Sequence, residues 1–343
     1  MKLGVTVGMH EEPAAFIRRV QRLEDAGADY FWTGEAYTAD AVSTMGFLAA
    51  VTRRAQIGSS ILPPYTRTPT LLAMTAAGID RLSGGRCILG LGASGPQVIE
   101  GFHGVPYDRP LARTREIIEI CRCVWRHEKL LHDGPLYPIP LPPEQGTGFG
   151  KPLKLIEAPL RDRIPIFVAA LGRRNVEMTA ELAEGWIPIH YWPERAEALW
   201  GSSVAAGLAR RSPDLPALEV VAGGPLAIGT GLEDLRNFAR RALALYFGGM
   251  GPPGGNYYND VMRGYGYERE AAEVQDLYLG GRRKEAAAAI PQELVDGLSL
   301  VGDEGFVRER VAAFRDAGVT VLNVTPVGPD PIRSLETVAS WLA

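Results

Sequence analysis

Short apolar runs alternate along the chain with longer segments whose apolar residues recur at helical spacing. One unit appears at 23–33, 180–189 and 313–324: an Ala- and Glu-rich helical stretch, a glycine, then a β-branched or aromatic run. Each unit is typical of a helix followed by a strand. Outside these units, the apolar pattern predicts strands at 3–7, 56–62, 86–91, 164–169 and 218–222. Helical spacing predicts helices over 14–26, 69–82, 110–128, 173–184, 193–210, 232–247 and 303–317.

The alternation of strands and helices predicts the fold class. Short apolar strands separated by helices indicate βαβ units and a parallel sheet. Eight strands spread over the whole length favour an α/β fold of the (β/α)8 TIM-barrel type over an open sheet. Gly27, Gly185 and Gly318 each follow a predicted helix, so we expect each of them to adopt a positive φ.

Two segments interrupt this alternation. Residues 129–163 are rich in proline and glycine and have no helical period, which predicts an irregular insertion or a hairpin. Residues 248–300 begin with GGMGPPGGNYYND and continue into polar, alanine-rich helical sequence. Both segments are longer than ordinary connections, and insertions after barrel strands build the C-terminal face, where active sites lie. We therefore expect a single domain over residues 1–343, with insertions at that face.

Composition narrows the class of protein. The chain has 36 Lys and Arg against 40 Asp and Glu, a net charge of −4, which offers no basic face for a nucleic acid. No apolar run reaches the roughly 18 residues of a membrane span, and the N-terminus lacks the pattern of a secretion signal. Three cysteines are too few for a disulfide framework. The expectation is a cytoplasmic enzyme acting on a small molecule, without nucleic-acid or membrane partners.

Glycine-rich sequence follows the predicted strand at 86–91. Gly90, Gly92 and Gly95 have the spacing of a dinucleotide-binding loop, which requires a helix to open at once and an acidic residue about 20 positions later. The chain continues instead through PQVIEGFHGVPYDRP, so the spacing is a weak signal. Glycines at the end of a strand still allow a flat ring or a phosphate to approach the backbone.

A more informative segment lies where the strand at 164–169 passes into the helix at 173–184. Its sequence is AALGRRN, so Arg173 and Arg174 open the helix. Unpaired N–H groups and the positive end of the helix dipole attract anions, and arginine suits a phosphate. An ordinary solvated first turn would carry the same residues, and the sequence alone does not separate the two interpretations.

Several other chemistries find little support. The five histidines show no metal-ligand spacing, and the side chains of Cys121 and Cys123 would point to nearly opposite sides of a helix. The chain contains neither G-x-S-x-G nor G-x-x-x-x-G-K-[ST]. Acyl transfer and nucleotide hydrolysis are therefore not favoured.

Five segments together carry a family resemblance. They are RLSGGRCILGLGASGPQVIEGFHGVPYDRPLARTREIIEI, GTGFGKPLKL, IPIFVAALGRRN, AELAEGWIPI and GVTVLNVTPVGPD. In this order they resemble the luciferase-like oxidoreductases that use the deazaflavin coenzyme F420. The resemblance covers nearly the whole chain. It implies a TIM barrel with the cofactor at the C-terminal mouth, coenzyme F420 as that cofactor, and usually a homodimer.

The resemblance also implies where the cofactor lies. A non-proline cis peptide at the end of the third strand supports the deazaflavin ring in that family, and it would fall at Ser60–Ile61. Glu35 matches an acidic position at the polar edge of the ring. The other implied contacts are Gly92, Ala93 and Ser94 beside the ring, and Ala170, Leu171, Gly172 and Arg173 at the phosphate.

Two departures from the family pattern leave the substrate open. Thr6 stands where the methanopterin reductases carry a glutamate proton donor, and Ala36 stands where the sugar-phosphate and alcohol dehydrogenases carry a histidine. A general acid must then come from elsewhere at the mouth or from solvent. His190 is the first choice, since an unperturbed histidine pKa of about 6.5 allows proton donation at neutral pH. The other candidates are His103, Glu35 and Tyr37.

Three functions are compatible with these features. The leading hypothesis is hydride transfer between coenzyme F420 and a small organic substrate, in the direction of a reductase. The first alternative is an FMN-dependent luciferase-like monooxygenase, and the second is a non-catalytic flavin-binding protein. Cofactor preference and oxygen consumption separate the first two, and binding without turnover would indicate the third.

Overall fold

The computed structural model describes residues 1–342. Its strands are β1 Lys2–Thr6, β2 Tyr30–Thr33, β3 Gln56–Ser59, β4 Cys87–Gly92, β5 His132–Asp133, β6 Pro138–Ile139, β7 Ile166–Ala169, β8 Gly185–Trp186, β9 Glu219–Ile228, β10 Leu300–Gly302 and β11 Val321–Pro326. Its helices are α1 Pro13–Asp25, α2 Ala41–Val51, α3 Pro69–Ser83, α4 Pro96–Ile99, α5 Pro110–Trp125, α6 Arg173–Leu182, α7 Pro193–Leu208, α8 Glu233–Ala244, α9 Tyr257–Gly264, α10 Glu268–Leu279, α11 Arg283–Ala288, α12 Gln292–Gly297, α13 Glu304–Asp316 and α14 Pro331–Leu342.

Eight parallel strands close into a barrel. Their order around the ring is β1-β2-β3-β4-β7-β8-β9-β11, and β11 pairs back onto β1. The predicted (β/α)8 TIM barrel is therefore confirmed. The short strand β10 pairs with the C-terminal end of β9 and was not predicted, because three residues are too few to show a period. β5 and β6 form a separate antiparallel hairpin.

Large aromatic side chains matched by glycines fill the barrel centre. The Trp32 and Phe167 rings lie with centroids 5.6 Å apart. Gly58 faces the Trp32 ring and Gly185 faces the Phe167 ring, so closely that a Cβ at either glycine would overlap ring atoms. Packing, not backbone conformation, therefore requires glycine at 185.

The expectation of a positive φ is confirmed at two of the three helix-following glycines. Gly27 has a φ of 110° and Gly318 has a φ of 83°. Gly185 has no positive φ and instead begins β8, so the expectation for this residue is wrong.

The hydrophobic periodicity of the sequence did not predict every helix. In α2 apolar residues lie on all sides, so no apolar stripe marks a helix. After the glycine-rich segment a helix does open at Pro96, but α4 ends at Ile99, too short for a dinucleotide-binding helix. No helix within residues 1–342 is long and apolar enough to cross a bilayer.

Candidate active site

The carboxyl ends of the eight parallel strands meet at one end of the barrel, which we call the mouth. Thr6 ends β1 with an exposed side chain, and Asn323 of β11 donates from Nδ2 to Thr6 Oγ1 at 3.1 Å. Trp32 and Phe167 belong to the buried cluster inside the barrel, with Ile61 and Ala169 packed against it. Thr6 and Asn323 thus place small polar side chains at the carboxyl ends of β1 and β11.

The ends of β3 and β4 form one wall of this mouth. The Ser60–Ile61 peptide is cis, as the resemblance implies. Ser59 Oγ donates to the Gly90 carbonyl oxygen at 2.8 Å and accepts from the Gly90 N–H at 2.9 Å. A Cβ at Gly90 would overlap the Ser59 carbonyl oxygen, and one at Gly92 would lie 2.7 Å from Ile61 Cγ1. These two glycines therefore serve the close approach of neighbouring segments.

The loop after β4 continues this wall. Ser94 adopts a φ of 59°, a left-handed conformation that is uncommon for a non-glycine residue. The Tyr107 hydroxyl donates to the Ser94 carbonyl oxygen at 3.3 Å. Tyr107, which sequence reasoning did not single out, thus helps to hold Ala93 and Ser94 beside the mouth.

The N-terminus of α6 lies just after the carboxyl end of β7. Gly172 is the N-cap, and no side chain caps the helix. A Cβ at Gly172 would meet no atom within 4 Å, so the approach is open. Arg173 and Arg174 are exposed beside it. This arrangement has the free amides, the helix dipole and the cations of an anion site.

Two tryptophans fix the loop that leads into α6. Trp186 Nε1 donates to the Ala170 carbonyl oxygen at 2.9 Å, and Trp200 Nε1 donates to the Leu171 carbonyl oxygen at 2.8 Å. The two buried indoles contact each other edge to face at 5.4 Å. Because both carbonyl oxygens are bonded to indole N–H groups, neither is left as a free acceptor near the anion site. No local motif in the sequence indicates this pairing.

Glu35 lies after β2 in a nearly buried ion pair. Both of its carboxylate oxygens bind Arg67, at 2.6 and 2.9 Å, and Oε2 also accepts from the Ala41 N–H at 3.0 Å. The side chains of Glu35 and Arg67 are only 7% and 15% exposed. Glu35 raises the pKa of the Arg67 guanidinium by hydrogen bonding to it. Both oxygens of Glu35 are thus already occupied by donors from the protein.

His190 lies after β8 in a left-handed conformation, with a φ of 57°. Its ring contacts the rings of Tyr246, Phe247 and Tyr258, at centroid distances of 4.8, 5.0 and 6.0 Å. Its Nε2 is enclosed without a hydrogen-bond partner. Burial among these rings lowers the pKa of His190 to about 3. The expectation of an unperturbed pKa is therefore wrong, because burial favours the neutral imidazole.

The remaining two donor candidates lie in different surroundings. His103 packs against Phe102, and its Nε2 is enclosed without a partner. Tyr37 is 63% exposed and also contacts Phe102, with ring centroids 6.2 Å apart. Of these two residues, only Tyr37 is largely exposed.

No group of three or more His, Cys, Asp or Glu within residues 1–342 could hold a metal ion. Cys87 and Cys121 are buried, and burial raises the pKa of both thiols. Core packing therefore accounts for these two cysteines.

Comparison with known proteins assigns the chain to a family. The model of the luciferase-like monooxygenase family matches residues 1–321. A protein of Mycobacterium tuberculosis, named provisionally as a coenzyme F420-dependent oxidoreductase, is 42% identical over 98% of both chains. The 5,10-methylenetetrahydromethanopterin reductase of Archaeoglobus fulgidus is 28% identical over 93% of this chain and 92% of its own.

A solved structure shows the same architecture. The coenzyme F420-dependent tetrahydromethanopterin reductase of Methanopyrus kandleri superimposes with a TM-score of 0.80 at 21% identity, over 98% of this chain and 97% of that one. The chain belongs to the luciferase-like family.

Proposed function

We propose that this protein is a coenzyme F420-dependent oxidoreductase that transfers a hydride between the deazaflavin and a small organic substrate, acting as a reductase. The observation that carries the proposal is the uncapped N-terminus of α6 just after β7, where the approach to Gly172 is open. The provisional name of the Mycobacterium tuberculosis relative supports the choice of cofactor.

The residues present fit such a cofactor. The wall of Ile61, Gly92, Ala93 and Ser94 offers one side for a flat ring. The loop from Ala170 to Arg173 would hold the phosphate of the tail, since its approach is open at Gly172 and its carbonyl oxygens are occupied by tryptophans. The Glu35–Arg67 pair, fixed on α2 by the Ala41 N–H, would lie at the polar edge of the ring.

When bound, coenzyme F420 supplies a hydride from its reduced ring. The chain's own residues orient the ring against the substrate and control the proton. His190 stays a neutral imidazole at neutral pH, because burial lowers its pKa to about 3. The proton comes from water at the open mouth through the exposed Tyr37 hydroxyl. His103 then serves to hold the loop after α4.

The experiment that tests this function follows cofactor oxidation without oxygen. The protein is mixed anaerobically with reduced F420 and with enones, imines and ketones in turn, and deazaflavin absorbance is recorded. Oxidation of F420 with at least one substrate class is expected. Oxygen uptake with reduced FMN would instead support the monooxygenase, and binding without turnover would support the non-catalytic flavin-binding protein.

We further propose that the protein acts as a homodimer in the cytoplasm. Large apolar side chains are exposed along the segment between α5 and β7, which supports a covered surface: Leu131, Leu141, Phe149, Leu153, Ile156 and Leu160. The three cysteines are free thiols, as suits a reducing compartment. Analytical ultracentrifugation tests the dimer, and Phe149→Asp with Ile156→Asp is expected to produce monomers.

A further inference from the structure

Five side chains from separate segments contact one another beside the ends of β3 and β4, and we term them the Arg113 cluster. They come from the segment after β3, the loop after α4, the first turn of α5 and the β5–β6 hairpin: Tyr65, Tyr107, Asp108, Arg113 and Tyr137. None of the five is among the residues proposed to touch the cofactor.

Arg113 is the centre of this cluster. Its guanidinium carbon lies over the Tyr65 ring at 5.1 Å and over the Tyr137 ring at 5.6 Å, measured to the ring centroids. Nη1 donates to the Tyr137 hydroxyl at 2.9 Å. Nη2 donates to Asp108 Oδ1 at 2.5 Å, and Nε donates to the Asp108 carbonyl oxygen at 3.1 Å. A planar guanidinium can stack on rings and donate within its plane at the same time, which a lysine ammonium cannot do.

Hydrogen bonds link the cluster to the segment that follows β3. The Tyr137 hydroxyl donates to the Pro64 carbonyl oxygen at 3.5 Å. The Tyr65 hydroxyl donates to the Asp108 carbonyl oxygen at 3.0 Å. The backbone N–H of Tyr137 donates in turn to Glu116 Oε2 of α5 at 3.0 Å. The segment after β3 is therefore tied to α5 through the cluster.

A second connection runs from the cluster to the loop after β4. The rings of Tyr65 and Tyr107 are stacked, with centroids 5.2 Å apart. The Tyr107 hydroxyl donates to the carbonyl oxygen of Ser94, whose backbone is left-handed. An uncommon backbone conformation persists only where its surroundings fix it. The stacked rings and Arg113 supply such surroundings for Ser94.

The same two segments also meet directly at the mouth. The Leu62 N–H donates to the Gly90 carbonyl oxygen at 2.8 Å, and the Gly92 N–H donates to the Leu62 carbonyl oxygen at 3.3 Å. Strand β4 ends at Gly92, so these bonds do not reach Ser94. The position of the loop after β4 therefore depends on the cluster as well as on the strand ends.

We infer that Arg113 is a positioning residue for the cofactor ring, because through Tyr65 and Tyr107 it fixes the segment after β3 relative to the loop after β4. This inference rests on the proposed function, which places the deazaflavin ring against these two segments. Without the guanidinium, the two segments adopt more than one relative arrangement. The apparent affinity for the cofactor then falls with the fraction of molecules that keep the competent arrangement.

The test measures binding of oxidised F420 by fluorescence titration in two matched variants. Arg113→Met removes the guanidinium of the cluster, whose side chain is 19% exposed. Arg122→Met removes an 18% exposed one near the other end of α5, where Arg122 binds Glu184 and the Leu182 carbonyl oxygen. Both variants lose a buried ion pair, so a general loss of stability would affect them alike. We expect about tenfold weaker binding in Arg113→Met and wild-type binding in Arg122→Met. Equal affinities of the two variants would overturn the inference.

Two further measurements separate positioning from a general loss of structure. Visible circular dichroism of F420 bound at saturation reports the surroundings of the ring, and the spectrum is expected to change in Arg113→Met but not in Arg122→Met. Tyr107→Phe keeps the ring stack and removes only the hydroxyl bond to Ser94, so about threefold weaker binding is expected. This variant decides the question if Arg113→Met does not fold. An unchanged spectrum in Arg113→Met, or wild-type affinity in Tyr107→Phe, would contradict the inference.

A wild-type protein that binds no F420 would overturn the proposed function instead. Hydrogen exchange of the cofactor-free protein then tests whether Arg113 holds the two segments. Peptides that contain Leu62 and Gly92 are expected to exchange faster in Arg113→Met than in wild type, and at the wild-type rate in Arg122→Met. Equal exchange in the three proteins would refute the role of Arg113.

Discussion

The two sides of the barrel mouth are built from different parts of the chain. On the side proposed for the cofactor, the β3–β4 wall and the α6 N-terminus present backbone groups. Gly90 and Gly92 allow neighbouring segments to pack closely, whereas Gly172 leaves the helix N-terminus accessible. On the side proposed for the substrate, the His190 ring is surrounded by the rings of Tyr246, Phe247 and Tyr258, which lie far along the chain. The glycines of the first side can be recognised in the local sequence. The properties of the second side depend on tertiary packing, because burial lowers the pKa of His190.

The largest expected effect concerns the close approach of β3 and β4. Gly90→Ala places a methyl group onto the Ser59 carbonyl oxygen, so strands β3 and β4 must separate. We expect the free energy of unfolding in urea to fall by at least about 3 kcal/mol. Gly95→Ala is the control, since a Cβ there meets nothing within 4 Å, and it should change stability little. A Gly90→Ala protein as stable as the control would refute the close approach.

A second prediction concerns burial on the substrate side. The pKa of His190 is about 3 in the folded protein against about 6.5 in an unfolded chain, so the unfolded state binds the extra proton as the pH falls. Stability from this group is present above pH 6.5 and lost below it, by about 2 kcal/mol between pH 7 and pH 5.

The measurement is urea unfolding at both pH values for wild type and His190→Gln. The variant should lose about 2 kcal/mol less than wild type on acidification. His10→Gln, at an exposed histidine, is the control and should behave as wild type does. Parallel losses in wild type and His190→Gln would show that His190 is not buried as described.

A smaller effect is expected at the N-terminus of α6, the proposed phosphate site. Gly172→Asp places a carboxylate at the free N-terminus of α6, where it would repel the cofactor phosphate. We expect F420 to bind at least tenfold more weakly, about 1.4 kcal/mol, in a protein of unchanged fold. Gly172→Ala separates charge from size, since a Cβ there meets no atom, and should bind nearly as wild type does. If both variants bind F420 alike, the phosphate lies elsewhere.

The sequence predicted the barrel strands and the α6 N-terminus far better than the surroundings of His190. The eight barrel strands show apolar runs, and AALGRRN marks the α6 N-terminus within seven residues. The partners of that loop, Trp186 and Trp200, and the Arg67 partner of Glu35 lie too far along the chain for any local pattern to link them. The same separation hid Tyr246 and Tyr258, and with them the burial that shifts the pKa of His190.

The preference of the mouth for a deazaflavin is tested most directly by equilibrium titration with two cofactors. Each is added to the same protein preparation, and its own fluorescence reports binding. We expect coenzyme F420 to bind at least tenfold more tightly than FMN, a difference of about 1.4 kcal/mol. Equal or tighter binding of FMN would contradict the proposed function.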